Sequence, residues 1–421
     1  MIDLLVVGAG PAGLATAIHA RRAGLTVRVV DRRPGPPVDK ACGEGLMPDG
    51  VAALAALGVV PATLGGRPFR GIRYVDGDVV AEAGFPAGSG RGNAGFRDPG
   101  SGDAGPGDGG PAAVGLRGAG LGLRRVRLHQ ALVSAAQAVG VEIEWSVVVD
   151  GLERRPGRDP GGILEDRGSL GHAEPRFEAL AAGRVLPARW LVFADGLLSR
   201  GRRLAGLAAR PVRHRRFGVR RHYAVPTAAV PDVVEVWWGE RCEAYVTPTG
   251  AGEVGIAMLW AGRTATFDHL LAGFPRLAER LADAEIVSRD RGAGPLRQRV
   301  RGVVRGNLAL VGDAAGYVDA ITGEGLSLAF HQAAALAAAV AAGDLAHYAA
   351  DHRRLGRLPD TMTRLLLALE RRPPLRRRAL RALAADPVLF SRLLAIHTRA
   401  LPPRALGWQG AARLALSLAR G

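Results

Sequence analysis

The chain has 421 residues, 48% hydrophobic and 23% charged, an ordinary globular balance with room for about two to three domains. That balance excludes disorder of the whole chain. Its only cysteines, Cys42 and Cys242, exclude a disulfide scaffold and speak against structural zinc. The formal net charge of +17 would suit a polyanionic partner. Yet Lys40 is the only lysine among the 56 basic residues, and 59 glycines accompany the arginines, so the skew reads as compositional bias. No helix-turn-helix, zinc finger or aromatic–basic motif stands beside the charge, and nucleic acid is not an expected partner. The start of the chain has neither a basic leader nor a small-residue cleavage site. No apolar run reaches bilayer length. The expected location is the cytoplasm.

Residues 2–7 are a short apolar run, the pattern of a buried parallel strand. Gly8, Gly10 and Gly13 follow, with Pro11 and Ala12 between them. Residues 14–23 read as a helix packed through Leu14, Ala17 and Ile18. Gly24 ends it, residues 26–30 form a second strand, and Asp31 closes that strand. This is the dinucleotide fingerprint in its full βαβ context. Gly8 permits the tight turn, Gly10 lets a pyrophosphate approach the backbone, and Gly13 lets helix and strand pack closely. Amides and dipole at the helix start favour the phosphates. Asp31 can accept bonds from ribose hydroxyls. It would also repel a 2′-phosphate, a repulsion that Arg32 and Arg33 temper.

Residues 84–122 and 156–175 are rich in Gly, Pro and Asp, the composition of long loops or insertions. Between them, residues 124–139 read as a helix and 141–149 as a strand. Residues 190–194 are another buried strand. From 233 the period changes: 233–238, 244–247 and 254–260 read as antiparallel strands, with a hairpin turn at 248–252. Residues 308–311 return to a buried strand, and the chain from Leu326 onward is almost entirely helical.

Three segments together resemble the flavoprotein superfamily of para-hydroxybenzoate hydroxylase and the geranylgeranyl reductases. They are the fingerprint, the stretch Ala194-Asp195-Gly196 followed by Arg202, and Gly312-Asp313-Ala314-Ala315-Gly316 running on to Gly323-Glu324-Gly325. The resemblance spans residues 1 to about 345 in the family's order. It implies an α/β fold: a Rossmann-like FAD-binding domain, an inserted antiparallel β-sheet substrate domain and a helical C-terminal extension. The expected boundaries are 1–75, 114–212 and 296–345 for the FAD domain, 76–113 and 213–295 for the substrate domain, and 346–421 for the helical region. Asp313 would bind a ribityl hydroxyl. Amides of Gly325 and Leu326, after Gly323 and Glu324, would favour negative charge on a reduced flavin.

Lys40-Ala41-Cys42-Gly43-Glu44-Gly45 resembles the Cys-Gly-x-Gly stretch of the reductase branch, which lies near the flavin ring. Gly43 would let backbone pass close to the ring, and Lys40 could serve the pyrophosphate or anionic flavin. Cys42 reads as a packed or flavin-facing thiol more than a nucleophile, since no histidine partner is evident. Arg125 matches an arginine that the family aims at FAD, with Arg124 as the alternative register.

Trp238, Tyr245, Pro248 and Trp260 could wall an apolar pocket, or simply fill the sheet's core. Arginines crowd residues 200–221, among them Arg202, Arg216, Arg220 and Arg221, and could bind the phosphates of transient NADPH or NADH. A second crowd at residues 353–381, interleaved with leucines, reads as a solvated helix face, a site for an acidic carrier protein, or one for an anionic membrane. The resemblance implies first an NAD(P)H-using monooxygenase of an apolar or aromatic small molecule, polyketide-like in type, acting through a flavin C4a-hydroperoxide. The alternative is a geranylgeranyl-reductase-like enzyme acting on isoprenoid double bonds; a third reading is a flavin-binding accessory protein without turnover. No catalytic acid, base or nucleophile stands out.

Overall fold

The computed structural model describes residues 2–86, 116, 118–155, 176–210, 215–408 and 410. The glycine-rich stretch at 156–175 lies outside these residues, as do most of 84–122 and Arg213.

The first sheet has six strands. Their order is Val304–Arg305, Leu308–Leu310, Ala188–Phe193, Ile2–Val7, Val27–Asp31 and Glu142–Trp145. All neighbours run parallel except the edge strand Val304–Arg305. Both faces are covered, which is why its strands are runs of Val, Leu and Ile. Helix Pro11–Arg22 starts three residues earlier than its apolar pattern suggests, because Pro11 occupies the first helical position, where a missing N–H costs nothing. It packs against helix Gly325–Ala341, and Leu14, Ile18, Ala333, Leu336 and Val340 share one core with the sheet.

The second sheet is laid out as Glu285–Ile286, Arg216–Ala224, Glu253–Ala261, Cys242–Gly250, Val234–Trp238, Gly71–Asp76 and Val79–Gly84, with Arg291–Ala293 also paired to Arg216–Ala224. It is antiparallel apart from the pair Val234–Trp238 with Gly71–Asp76. A domain boundary at residue 75 therefore cuts through a strand whose partners all lie in this sheet. Gly71–Asp76 pairs only with Val234–Trp238 and Val79–Gly84, both in the second sheet. The missed signal is the turn at Gly77, with φ of 62°, between Asp76 and Val79. The hairpin expected at 248–252 is tighter, since the strands run on to Gly250 and from Glu253, with a bulge between Pro248 and Gly250. Proline cannot donate to the ladder, so the register breaks there.

Strand alternation sorts the side chains of this sheet into two cores. Val234, Val236, Trp238, Leu259 and Tyr245 face one; Ala244, Val246, Ile256, Met258 and Trp260 face the other. Helices Pro373–Ala385 and Pro387–His397, which follow the long helix Leu345–Glu370, close over the first face and add Leu380, Phe390 and Leu394. Arg376 ties them down. Its Nε donates to Asp76 Oδ2 at 2.8 Å, and its guanidinium lies 5.2 Å from the Trp238 ring centroid.

The two domains meet across a small sheet of Gly45–Leu46, Gly120–Gly122 and Arg67–Phe69. At Gly122 an added Cβ would lie 1.7 Å from the Pro248 carbonyl oxygen, so backbone touches backbone there. Gly122→Ala is expected to cost about 3 kcal/mol of unfolding free energy, read from the denaturant midpoint. Gly35→Ala, where a Cβ meets nothing within 4 Å, is the control and should leave the midpoint in place.

Candidate functional site

The three fingerprint glycines are glycines for different reasons. Gly8 has φ of 112°, and a Cβ there would sit 2.5 Å from the Ala194 carbonyl oxygen. At Gly13 a Cβ would sit 1.9 Å from the Gly8 oxygen. Protein packing alone demands both. At Gly10 a Cβ would meet nothing within 4 Å. Its open side lies at the start of helix Pro11–Arg22, where unpaired amides gather. Space kept there suits a pyrophosphate. Gly43, across the site, is open in the same way.

Asp31 is buried and aimed by backbone. The Ala9 amide donates to Oδ2 at 2.8 Å and the Arg33 amide to Oδ1 at 2.9 Å. Each oxygen keeps a second lone pair for a hydroxyl. Arg32 is exposed beside it.

His129, which the sequence did not single out, holds this loop from beneath. The Val38 amide donates to Nδ1 at 3.2 Å, so Nε2 carries the proton and donates to the Ala9 oxygen at 2.8 Å. Burial is the main force pushing its pKa below the ordinary histidine value, which keeps the ring neutral. Its sequence signal is the spacing of four from Arg125, on the same helix face.

Arg125 begins helix Arg125–Ala138 with its side chain buried and its Nε unpartnered among the described residues. Asp195 Oδ1 is likewise buried and unpartnered, while Oδ2 accepts the Gly201 amide at 2.9 Å. Lys40 Nζ donates to Asp313 Oδ2 at 2.8 Å. Burial opposes the charge of Asp313, but Lys40, with Arg125 and Arg202, outweighs it and holds the carboxyl below its usual range. An orphaned buried donor and acceptor, an anionic carboxylate and an open glycine cradle fit the hydroxyl and phosphate groups of FAD.

Arg202 staples two motifs together. Its guanidinium donates to the carbonyls of Asp313 and Ala314 at 3.2 Å each and to that of Leu197 at 2.8 Å. Gly323 has φ of 69°, and Gly325 and Leu326 open the helix that follows. The Glu324 carboxylate engages the C-terminal segment: His397 Nδ1 lies 3.4 Å away and Arg399 Nη2 3.8 Å. Burial raises its pKa against the pull of His397 and Arg399. The turn thus offers amides to a cofactor, while both carboxylate oxygens of Glu324 are buried with no hydrogen-bond partner among the described residues.

Glu44 is the other residue that sequence reading passed over. It is buried at φ of 59°, between Gly43 and Gly45. Oε1 accepts the Arg125 amide at 2.7 Å, and Oε2 lies 2.5 Å from His222 Nε2. The Thr247 hydroxyl donates to the Gly43 oxygen at 2.8 Å, fixing the segment to the second sheet. Cys42 is a half-buried free thiol whose Sγ accepts the Glu44 amide at 3.4 Å.

Three of the arginines at 200–221 are paired with carboxylates. Arg220 donates to Asp39 at 2.5 Å and contacts His222, and Arg221 is held by Asp268 and Asp290. Arg216 faces Glu243 at 2.7 Å, Asp319 at 2.9 Å and Glu370 at 3.6 Å. Charges paired this way are not available to a nicotinamide cofactor's phosphates. Burial pushes Glu243 up to about 7, with Arg216 pulling the other way.

Of the expected wall residues, Trp238 and Tyr245 share the face covered by the C-terminal helices, and Pro248 is buried at the bulge. The Tyr245 hydroxyl donates to the Ile321 oxygen at 2.9 Å. Trp260 falls on the opposite face, against Phe217, because its place in the strand has the other parity. Tyr74, stacked on Phe390 with centroids 5.5 Å apart, shares the cluster of Trp238 and Tyr245 instead, as does Tyr317.

Comparison with known proteins agrees with this fold. A NAD(P)-binding Rossmann-like domain family matches residues 6–37. A menaquinone reductase from Mycolicibacterium smegmatis is 28% identical over 364 residues, 82% of this chain and 78% of that protein. Digeranylgeranylglycerophospholipid reductase 1 from Methanothermobacter thermautotrophicus is 27% identical over 365 residues, 84% of this chain and 80% of that protein. A solved flavoprotein/dehydrogenase from Cytophaga hutchinsonii superposes with a TM-score of 0.74 at 18% identity, covering 99% of this chain and 98% of that one. A probable FAD-dependent monooxygenase from Pseudomonas aeruginosa gives 0.62 at 21% identity, covering 88% and 95%. Fold and site define a flavoprotein. The chain is a FAD-dependent oxidoreductase, similar in sequence to the menaquinone and digeranylgeranylglycerophospholipid reductases.

Gly10→Ala is expected to leave the melting temperature of the apoprotein unchanged and to weaken FAD retention about tenfold or more, read by flavin absorbance after gel filtration. Gly13→Ala should lower the apoprotein's stability itself. A second prediction concerns pH. Glu243 takes up a proton on folding between its ordinary 4.5 and about 7, so stability falls as pH rises through that window and levels off above it. Glu243→Gln removes the effect, and its stability relative to wild type should improve by ~3 kcal/mol from pH 4.5 to 7 in paired denaturant titrations.

Proposed function

We propose that the chain is a FAD-dependent reductase that saturates carbon–carbon double bonds in the prenyl chain of an apolar substrate. The observation that supports this reading is the apolar, aromatic cluster of Tyr74, Trp238, Tyr245, Tyr317 and Phe390 between the second sheet and the C-terminal helices, whose chemistry suits a hydrocarbon chain. The molecules in the names of the two reductase relatives, a menaquinone and a digeranylgeranyl glycerophospholipid, have a polyisoprenoid chain in common. Among the comparisons, oxygen insertion, the first expectation from sequence, finds its support in solved structures such as the 21% identical monooxygenase, a likeness that speaks for fold alone.

When bound, reduced FAD supplies a hydride equivalent. The chain's own residues do the rest. Gly10, Asp31, Lys40, Arg125 and Asp313 hold the cofactor. The aromatic face excludes water and lays the alkene along the site. A hydride added to one alkene carbon requires a proton at the other, delivered from solvent or a nearby acid. NADPH or NADH would be the reductant, received at a place other than the paired arginines at 216–221.

The test is anaerobic. FAD-loaded protein is reduced with dithionite and given a prenylated quinone or a geranylgeranyl lipid. The expected product is heavier by two hydrogens per double bond, with flavin reoxidised in the absence of oxygen. A product that gains one oxygen atom, and only in air, would replace this reading with the monooxygenase.

A further inference from the structure

The C-terminal helices carry two unusual features on one side. The first is charge. Residues 371–408 contain nine arginines and a single acidic residue, Asp386. Arg376 and Arg399 are used internally, by Asp76 and by Asp49. The side chains of Arg371, Arg372, Arg378, Arg381, Arg392 and Arg404 have no ion-pair partner among the described residues, and all are exposed.

The second feature is apolar exposure. Trp408 is 79% exposed and Val388 67%, and Leu375 and Leu401 are exposed as well. Solvated helices do not need such residues outward, and here they alternate with the free arginines. Leu375 and Arg378 are three apart on helix Pro373–Ala385, and Val388 and Arg392 are four apart on helix Pro387–His397, so each pair shares a helix face. The inward faces are already spoken for by Leu380, Phe390 and Leu394.

From this we infer that the outer face of residues 371–408 docks on the surface of an anionic lipid bilayer. Arginines would meet lipid phosphates, and Val388, Leu401 and Trp408 would enter the headgroup boundary, where indole and aliphatic side chains are favoured. An acidic protein would satisfy the charges but not the protruding apolar side chains. None of the described helices is long and apolar enough to cross a membrane, so the contact is peripheral. The inference does not depend on which reaction the flavin site carries out.

The experiment uses the FAD-loaded full chain and vesicles free of any prenyl substrate. Co-sedimentation is expected with phosphatidylcholine vesicles containing phosphatidylglycerol, and much less with phosphatidylcholine alone. Arg378→Glu/Arg381→Glu/Arg392→Glu should weaken binding about 100-fold at low salt, each basic residue at a membrane surface being worth about fivefold or more. Brominated lipid should quench tryptophan emission in the wild type, and Trp408→Phe should abolish that quenching while leaving sedimentation at low salt. Failure to bind anionic vesicles at low salt overturns the proposal. So does binding that the triple variant leaves unchanged, or preferential binding to an acidic carrier protein in competition. Activity on detergent-dispersed substrate reports on the reductase reading separately.

Discussion

Glu44 is the point on which the two halves of the molecule depend. Its carboxylate is removed from water, and the cost of that desolvation is offset only if both oxygens are satisfied. One takes the first amide of the Arg125 helix; the other meets His222 in the second sheet. Three separate pieces of chain are thereby held in one arrangement: the Cys42–Gly45 segment, the helix bearing Arg125 and His129, and the strand Arg216–Ala224. A non-glycine residue at positive φ adds a local cost, which the surrounding contacts must outweigh. The position of the Cys42–Gly45 segment is thus a by-product of satisfying a buried carboxylate.

The same logic divides the arginines. Within the second sheet they are matched to carboxylates: Arg216 to three of them, Arg221 to Asp268 and Asp290, Arg220 to Asp39. These arginines hold the sheet together and leave little field outside. The excess that makes the chain strongly basic lies elsewhere, with a concentration on the helices after Glu370. Net charge alone cannot distinguish these two populations, since it counts residues and not partners.

That distinction explains what could be read in advance. The fingerprint, Asp31, Asp313 and the Gly323 turn were legible because their chemistry needs fixed residue types at short, fixed spacing. Glu44 and His222 were not, because they are far apart in sequence and meet only after the second sheet has packed on the first. Which face Trp260 occupies was open in the sequence, because a strand's side chains alternate and parity cannot be fixed without knowing the register. Gly71–Asp76 escaped notice as part of the second sheet because its neighbour on one side, Val234–Trp238, is distant in sequence. The arginines at 216–221 looked like an anion site for the same reason that the net charge misleads: their acidic partners come from scattered positions.

Lys40 has a consequence of a different kind. It is the single lysine of the chain, and its ammonium sits against Asp313 in the cofactor cradle. Apart from the α-amino terminus, amine-directed chemistry therefore has one address on this protein. An acylating reagent or an isotope-labelled methyl donor would place its mark at the flavin site without any engineered handle. The fraction left unmodified then becomes a direct count of how many molecules have the cradle covered.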